Sequence, residues 1–250
     1  MLLSSAEIAQ FHEIIPAVTR IFHAADVSWT LCSEAFEGTN SGIQIGSSDL
    51  AAELVRRVVA GAEKLGVKYV ISPECGHAYT AIRWEGPNLI GRPYPFKVIH
   101  ILELLDELRA QGRLRTEGTE DLRMTFHDPC QLVRRGGVIE QPRHLMNMVA
   151  TNFVEMTDHG KWNWCCGGGG GVSSNEEAEP LRRMVFNRKK KQLEEIGVKR
   201  IVTACSNCRN MLEEGLEDNH MDDIEVVGLS EMIAEHLQTK SSAAGTGEAS

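Results

Sequence analysis

The 250-residue chain predicts an α/β fold made of two similar halves, each a parallel sheet flanked by helices. Three observations predict it. Short β-branched runs alternate with longer helical patterns, the order of a parallel α/β sheet. A helix–glycine–strand–loop unit recurs after about 130 residues, a weak internal repeat. Cysteine-bearing loops follow predicted strands, and the carboxyl ends of parallel strands are where such sheets gather their ligands.

The first twenty residues read as an amphipathic helix broken near Pro16. VSWTL (27–31), VKYVIS (67–72), RMTFH (123–127), FVEMT (153–157), KRIVTA (199–204) and IEVVG (224–228) read as strands. Helical patterns cover 49–66, 100–112, 142–152, 179–197 and 229–238, several of them closing on a glycine suited to a helix C-terminus. Small polar residues at 239–250 read as a disordered tail.

In the repeat, Leu65-Gly66-Val67-Lys68 followed by a strand and a cysteine loop corresponds to Ile196-Gly197-Val198-Lys199 followed by the same. The predicted division is therefore a first half at 1–115 and a second half at 116–238, meeting near the polar stretch 112–121.

A net charge of −9 and a pI near 5.5 exclude a basic nucleic-acid footprint, so no nucleic-acid partner is expected. No apolar run reaches the ~18–20 residues of a membrane span, and the N-terminus lacks the pattern of a secretory signal. A cytoplasmic protein is expected, peripheral on the cytoplasmic face of a membrane complex if attached to one. Seven cysteines in that compartment argue for metal ligation or catalysis over structural disulfides.

Five of them form a constellation in the second half: Cys130 in HDPC, Cys165 and Cys166 before five glycines, and Cys205 and Cys208 in a Cys-x-x-Cys. Several soft thiolates converging on one point suit an iron–sulfur cluster. Cys-x-x-Cys lets two thiolates reach one centre as the chain turns into a helix, and Gly167 and Gly168, without Cβ, allow backbone to approach it. Pro129 restricts Asp128 and so orients Cys130. A thioredoxin-like pair would leave three cysteines unused, and a structural zinc takes four ligands rather than five. The glycine run lacks the Lys-Ser/Thr ending of a phosphate loop.

The spacing of Cys130, Cys165-Cys166 and Cys205-x-x-Cys208 resembles the cysteine-rich CCG domain. That domain occurs in heterodisulfide reductases and in iron–sulfur subunits of glycolate, lactate and glycerol-3-phosphate oxidising complexes. The resemblance spans nearly all of 15–238 and implies two such halves and a noncubane [4Fe-4S] cluster held by the five cysteines, at which a disulfide is reduced or formed. ECGHA and SWTLCSEAFEGTNSG are similar to one branch, the catalytic subunit of the sulfite-reduction-associated membrane complex and the membrane-bound type of heterodisulfide reductase subunit. Members of that branch carry a ferredoxin-like region absent here. The chain therefore reads as a truncated or split form, or as a separately encoded catalytic subunit.

An ungapped match of the halves sets Glu74 opposite Cys205 and His77 opposite Cys208, with Cys75 between them and only Cys32 near the Cys-Cys position. The first half is thus expected to keep the fold without a cluster. Glu74, Cys75 and His77 are expected to face the cluster, with His77 or Glu74 managing protons, or simply closing the gap left by lost ligands. His127 is expected to donate to a cluster sulfur, and Trp162 and Trp164 to shield it from water. Arg134 and Arg135 read either as an anion-attracting pair or as a solvated one. Arg188 to Lys191 reads as a solvent face.

The expected partners are a ferredoxin-like or other electron-donating subunit, and a small heterodisulfide or the cysteine pair of a sulfur-carrier protein as substrate. The alternatives are an electron-relay subunit of a hydroxy-acid oxidising complex and a zinc-stabilised interaction module.

Overall fold

The computed structural model describes residues 1–72 and 74–238; the predicted tail, 239–250, lies outside the described residues. The helices are α1 (Ser5–Ala9), α2 (Ile14–Ala24), α3 (Thr39–Gln44), α4 (Ser48–Leu65), α5 (Gly76–Thr80), α6 (Gly86–Ile90), α7 (Ile101–Ala110), α8 (Glu140–Val149), α9 (Glu179–Ile196), α10 (Ser206–Asp218) and α11 (Leu229–Glu235). Strands β1 (Tyr69–Ser72) and β2 (Lys97–His100) form one parallel sheet. Strands β3 (Met124–His127), β4 (Arg200–Thr203) and β5 (Glu225–Gly228) form a second, in the order β3-β4-β5, also parallel. The α/β class and the pair of parallel sheets agree with the reading of the sequence.

The repeat is visible element by element. Helix α4 ends on Gly66 at φ 62° and α9 on Gly197 at φ 61°, the left-handed conformation that glycine adopts without steric cost. Each is followed by a strand (β1, β4), a helix that starts in the cysteine loop (α5, α10), a second strand (β2, β5) and a closing helix (α7, α11). The first sheet has no full counterpart of β3, although Leu2 N–H donates to the Ile71 carbonyl beside β1.

One apolar core runs through both sheets, from Ile21, Phe22, Val59 and Leu105 to Phe126, Val202 and Ile233. Helix α2 packs against α11 and α7 against α8, so helices of the two halves cover each other. A second, smaller core of Met156, Phe186, Leu193, Ile201 and Leu212 seals α9 and α10 against β4.

Four expectations about elements need correction. Residues 27–31 form no strand. Asp26 turns the chain at φ 53°, and the segment makes no ladder: the Thr30 carbonyl accepts from the Met1 ammonium (2.6 Å), and Cys32, just beyond the segment, donates its N–H to the Met1 carbonyl (3.2 Å). Residues 153–157 contribute one bridge, Phe153 to Met124, and no ladder. Strand β2 lies just ahead of the expected helix at 100–112, where Pro93 and Pro95 obscure a run of only four residues. The break in the N-terminal helix falls at residues 10–13, and Pro16 sits in the first turn of α2, where its missing N–H costs nothing.

Candidate metal centre

The carboxyl ends of the two sheets face each other. The Glu74 carbonyl, just past β1, accepts from Ser206 N (2.7 Å) and Ser206 Oγ (3.1 Å), just past β4. Its carboxylate accepts from Ser230 N (2.7 Å) at the start of α11, past β5. The cysteines gather at this seam.

Cys130 follows β3 and opens a π-helical turn, Gln131–Arg135, a local widening common at functional sites. Cys205 is the N-cap of α10 and Cys208 lies in its first turn, both buried. Cys165 and Cys166 follow a 3-10 turn, Gly160–Trp162, rather than the strand expected of them. Cys166, Cys205, Cys208 and Met211 form one buried cluster with Cys165 packed on it. The Sγ atoms of Cys130 and Cys165 are 3.9 Å apart. All seven cysteines are free thiols.

Two ligand loops are joined by an ion-pair scaffold that the sequence reading missed. Buried Asp128, just before Cys130, is gripped by both terminal nitrogens of Arg143 and accepts from Gly160 N (2.7 Å). Arg143 also holds Glu155 (2.9 Å). Asn163 donates its amide to the Asp128 carbonyl and accepts from Arg134 Nε (2.8 Å). The HDPC motif hints at Asp128, but nothing local marks Arg143 or Asn163, which reach the loop through space. Arg134 is therefore not a free basic residue, and Arg135 pairs with Glu85.

Electrostatics follow from crowding. Hydrogen bonds from Cys130 and then Cys166 push the Cys165 thiol far down, and Cys166 is pushed up to about 12, first by Cys165. Hydrogen bonds from Cys208, Cys75 and, further down, His77 lower Cys205. A cage of thiols thus already favours thiolates at two of its members.

His127, at the end of β3, is fully buried, and neither ring nitrogen has a hydrogen-bond partner among the described residues. Burial above all holds it neutral, pulled down to about 3. Its ring lies with Cys166 Sγ and Cys208 Sγ, the candidate ligand atoms all within 4.8 Å of one another. Orphaned nitrogens at a soft-donor cage are what a bound group with acceptor sulfurs would satisfy. The glycine run fits the same test. A Cβ on Gly168 would stand 2.4 Å from Met211 Cγ, and one on Gly169 would stand 3.1 Å from His77 Nε2. The residues present therefore fit an iron–sulfur cluster.

The three first-half residues divide. Cys75 is the N-cap of α5, matching Cys205 at the N-cap of α10, so the ungapped match was one residue out: the loop after β1 is longer by one. Cys75 accepts from Ala78 N (3.5 Å) and meets Cys205, which with burial raises its thiol well up. His77 reaches Cys205 and the glycine run. Glu74 is pinned by its serine bonds and raised to about 8, mainly by burial. Cys32 packs at the opposite end of β1, against Gly61 and beside Tyr69, away from the cage. Trp162 is 77% exposed and shields nothing, whereas Trp164 donates to the Val185 carbonyl (2.9 Å) in the wall of the site.

Residues 124–213 match the model of the family described as the cysteine-rich domain, CCG. Over most of its length the chain is also similar to curated proteins. It is 29% identical to a dihydromethanophenazine:CoB–CoM heterodisulfide reductase polypeptide of Methanosarcina acetivorans, over 88% of this chain and 54% of the relative. It is 29% identical to the EtfAB:quinone oxidoreductase of Syntrophomonas wolfei, over 83% and 29%. With the Hdr-like menaquinol oxidoreductase iron–sulfur subunit 2 of Archaeoglobus fulgidus it shares 28% identity, over 84% and 44%. The chain thus spans about half the length, or less, of these relatives. No helix among the described residues is long and apolar enough to cross a membrane.

Proposed function

We propose that this chain is the disulfide-handling iron–sulfur subunit of a larger oxidoreductase complex. The observation that carries the reading is the convergence of five free cysteines, from three loops, beside buried His127, whose ring has no hydrogen-bond partner among the described residues. Heterodisulfide reductase and Hdr-like subunits among its relatives support it.

Cys130, Cys165, Cys166, Cys205 and Cys208 would hold the cluster, and five thiolates favour a noncubane [4Fe-4S] form over a four-ligand cube. Bound there, the cluster supplies electrons one at a time at a site a sulfur substrate can approach. Cys130 and Cys165, half-buried where the other three are buried, form the open side of the cage. His127 would offer a ring N–H to a cluster sulfur, and Gly167 and Gly168 would let backbone approach the cluster closely. His77, half-buried beside Cys205, is placed to give a proton to a departing thiolate. Glu74 is the second proton holder, and Cys75 completes the inner wall.

The reaction balances as RS–SR′ with two electrons and two protons giving RSH and R′SH. The electrons come from a ferredoxin-like or other electron-donating partner, and the complex is membrane-anchored on its cytoplasmic side. The EtfAB:quinone oxidoreductase relative favours a second reading, an electron relay without substrate chemistry.

Anaerobic purification with iron and sulfide analysis, then EPR after mild oxidation with and without a thiol, tests this. About four irons per chain and a spectrum changed by thiol are expected. Iron without a thiol response selects the relay, and zinc without sulfide overturns both.

A further inference from the structure

Helix α9 carries the run Arg188 to Lys191, which its composition places on a solvent face. Lys189 breaks that pattern. It is 1% exposed and among the largest fully buried side chains, on the α9 stripe with Phe186, Gln192 and Leu193. One turn earlier on α9, Val185 abuts Gly167 of the glycine run, where an added Cβ would lie 3.1 Å away. The same side of the helix therefore borders the cage.

The only polar neighbour within hydrogen-bond reach of Lys189 Nζ among the described residues is Met156 Sδ, at 3.6 Å, a weak acceptor. No carboxylate lies within 4.0 Å of it among the described residues. The two carboxylates whose charge acts on it are already matched: Arg143 grips Asp128 with two nitrogens, and Arg188 holds Asp158 at 2.6 Å and 2.9 Å. A buried ammonium without a counter-ion is among the costliest features a fold can contain. Burial lowers Lys189 to about 8, while Asp158, Asp128, Cys166 and Cys208 pull the other way.

We infer that Lys189 is the buried counter-ion of the centre held by Cys166 and Cys208, a positioning residue whose charge sets the potential of that centre. The inference rests on the reading that this cage holds an iron–sulfur cluster, since thiolate-ligated clusters are anions and net charge is a main determinant of their potential. The chemistry explains both halves of the anomaly. A cation is needed where negative charge collects, and no protein carboxylate is needed because the cluster provides the charge. A fixed positive charge beside the cluster favours the reduced, more negative state, so it raises the potential.

The test compares the full chain with Lys189→Met, close in length and neutral, by iron and sulfide analysis, redox titration of the cluster, and thermal melting of the metal-free protein. In the variant the one-electron reduction should become at least about tenfold less favourable, a fall of about 59 mV. Without metal, the variant should melt higher by roughly 2–4 °C, because an unpaired charge has been removed. An unchanged potential in an iron-loaded variant overturns the inference and leaves the function reading standing. A lower metal-free melting point shows an ordinary structural lysine and also overturns it. Absence of iron from the unmodified protein overturns both readings together.

Discussion

The loops after β1 and β4 use one backbone device for different ends. In both, a strand stops, a cysteine caps the next helix, and the helix N-terminus faces the seam between the sheets. In the second half the cap is followed by a second cysteine one turn on, so Cys205 and Cys208 lie close on one helix end. In the first half the equivalent turn holds His77 and Ala78, and the cap Cys75 lies against its counterpart instead of beside a second thiol. The difference teaches that the fold supplies the direction of the side chains, while the number of soft donors in one turn would decide which half can hold metal. Both halves bury ionisable groups, and in the second half buried Asp128 is paired with Arg143. The first half hides the carboxylic acids Glu7 and Glu74 near Cys205, and the second hides Lys189 near Cys166 and Cys208.

The largest effect should separate the two caps. Cys205→Ala is expected to lose most of the iron and sulfide, while Cys75→Ala keeps them, as measured by metal and sulfide content after anaerobic purification. Equal loss in both variants would make Cys75 a ligand and remove the asymmetry between the halves.

Next comes the buried acid. Glu7 accepts from Ser4 N (2.7 Å) through one oxygen and leaves the other without a partner among the described residues; burial raises it from 4.5 to about 8. The folded chain therefore keeps a proton that the unfolded chain releases. This contribution is complete below about 4.5 and is lost as pH rises towards 8. Metal-free protein should lose up to about 1.4 kcal/mol per pH unit from this group across that window. Glu7→Gln should flatten that part of a denaturation-versus-pH series; a slope left intact would place the proton elsewhere.

The smallest effect tests where the halves are alike. Gly66 and Gly197 share a left-handed φ and have nothing within 4 Å of an added Cβ. Alanine at either should cost about the same, roughly 1 kcal/mol from backbone conformation alone, in urea unfolding. A much larger cost at one would show that the two caps are not equivalent.

Much of this was legible in the chain. Hydrophobic periodicity and terminal glycines located α4, α7, α9, β1, β3, β4 and β5 because those signals are local. The cysteine spacing identified the cage residues because ligand chemistry restricts residue type as well as position. Strand β2 was hidden by its shortness and by the prolines ahead of it. The loop bearing Cys165 and Cys166 reached the site without a strand to deliver it, held instead by Asp128, Arg143 and Asn163.

By itself, then, the sequence determined the α/β class, the repeated unit and the five thiols, since each depends on residues close along the chain or on residue type. Tertiary structure alone decided that Cys75 rather than Glu74 stands opposite Cys205, because one extra residue in a loop shifts the register without leaving a mark on the pattern. It alone decided that Lys189 points inward from a basic run, because the face a helix buries is chosen by what packs against it, and here that neighbour is the small core around Met156 and Leu193.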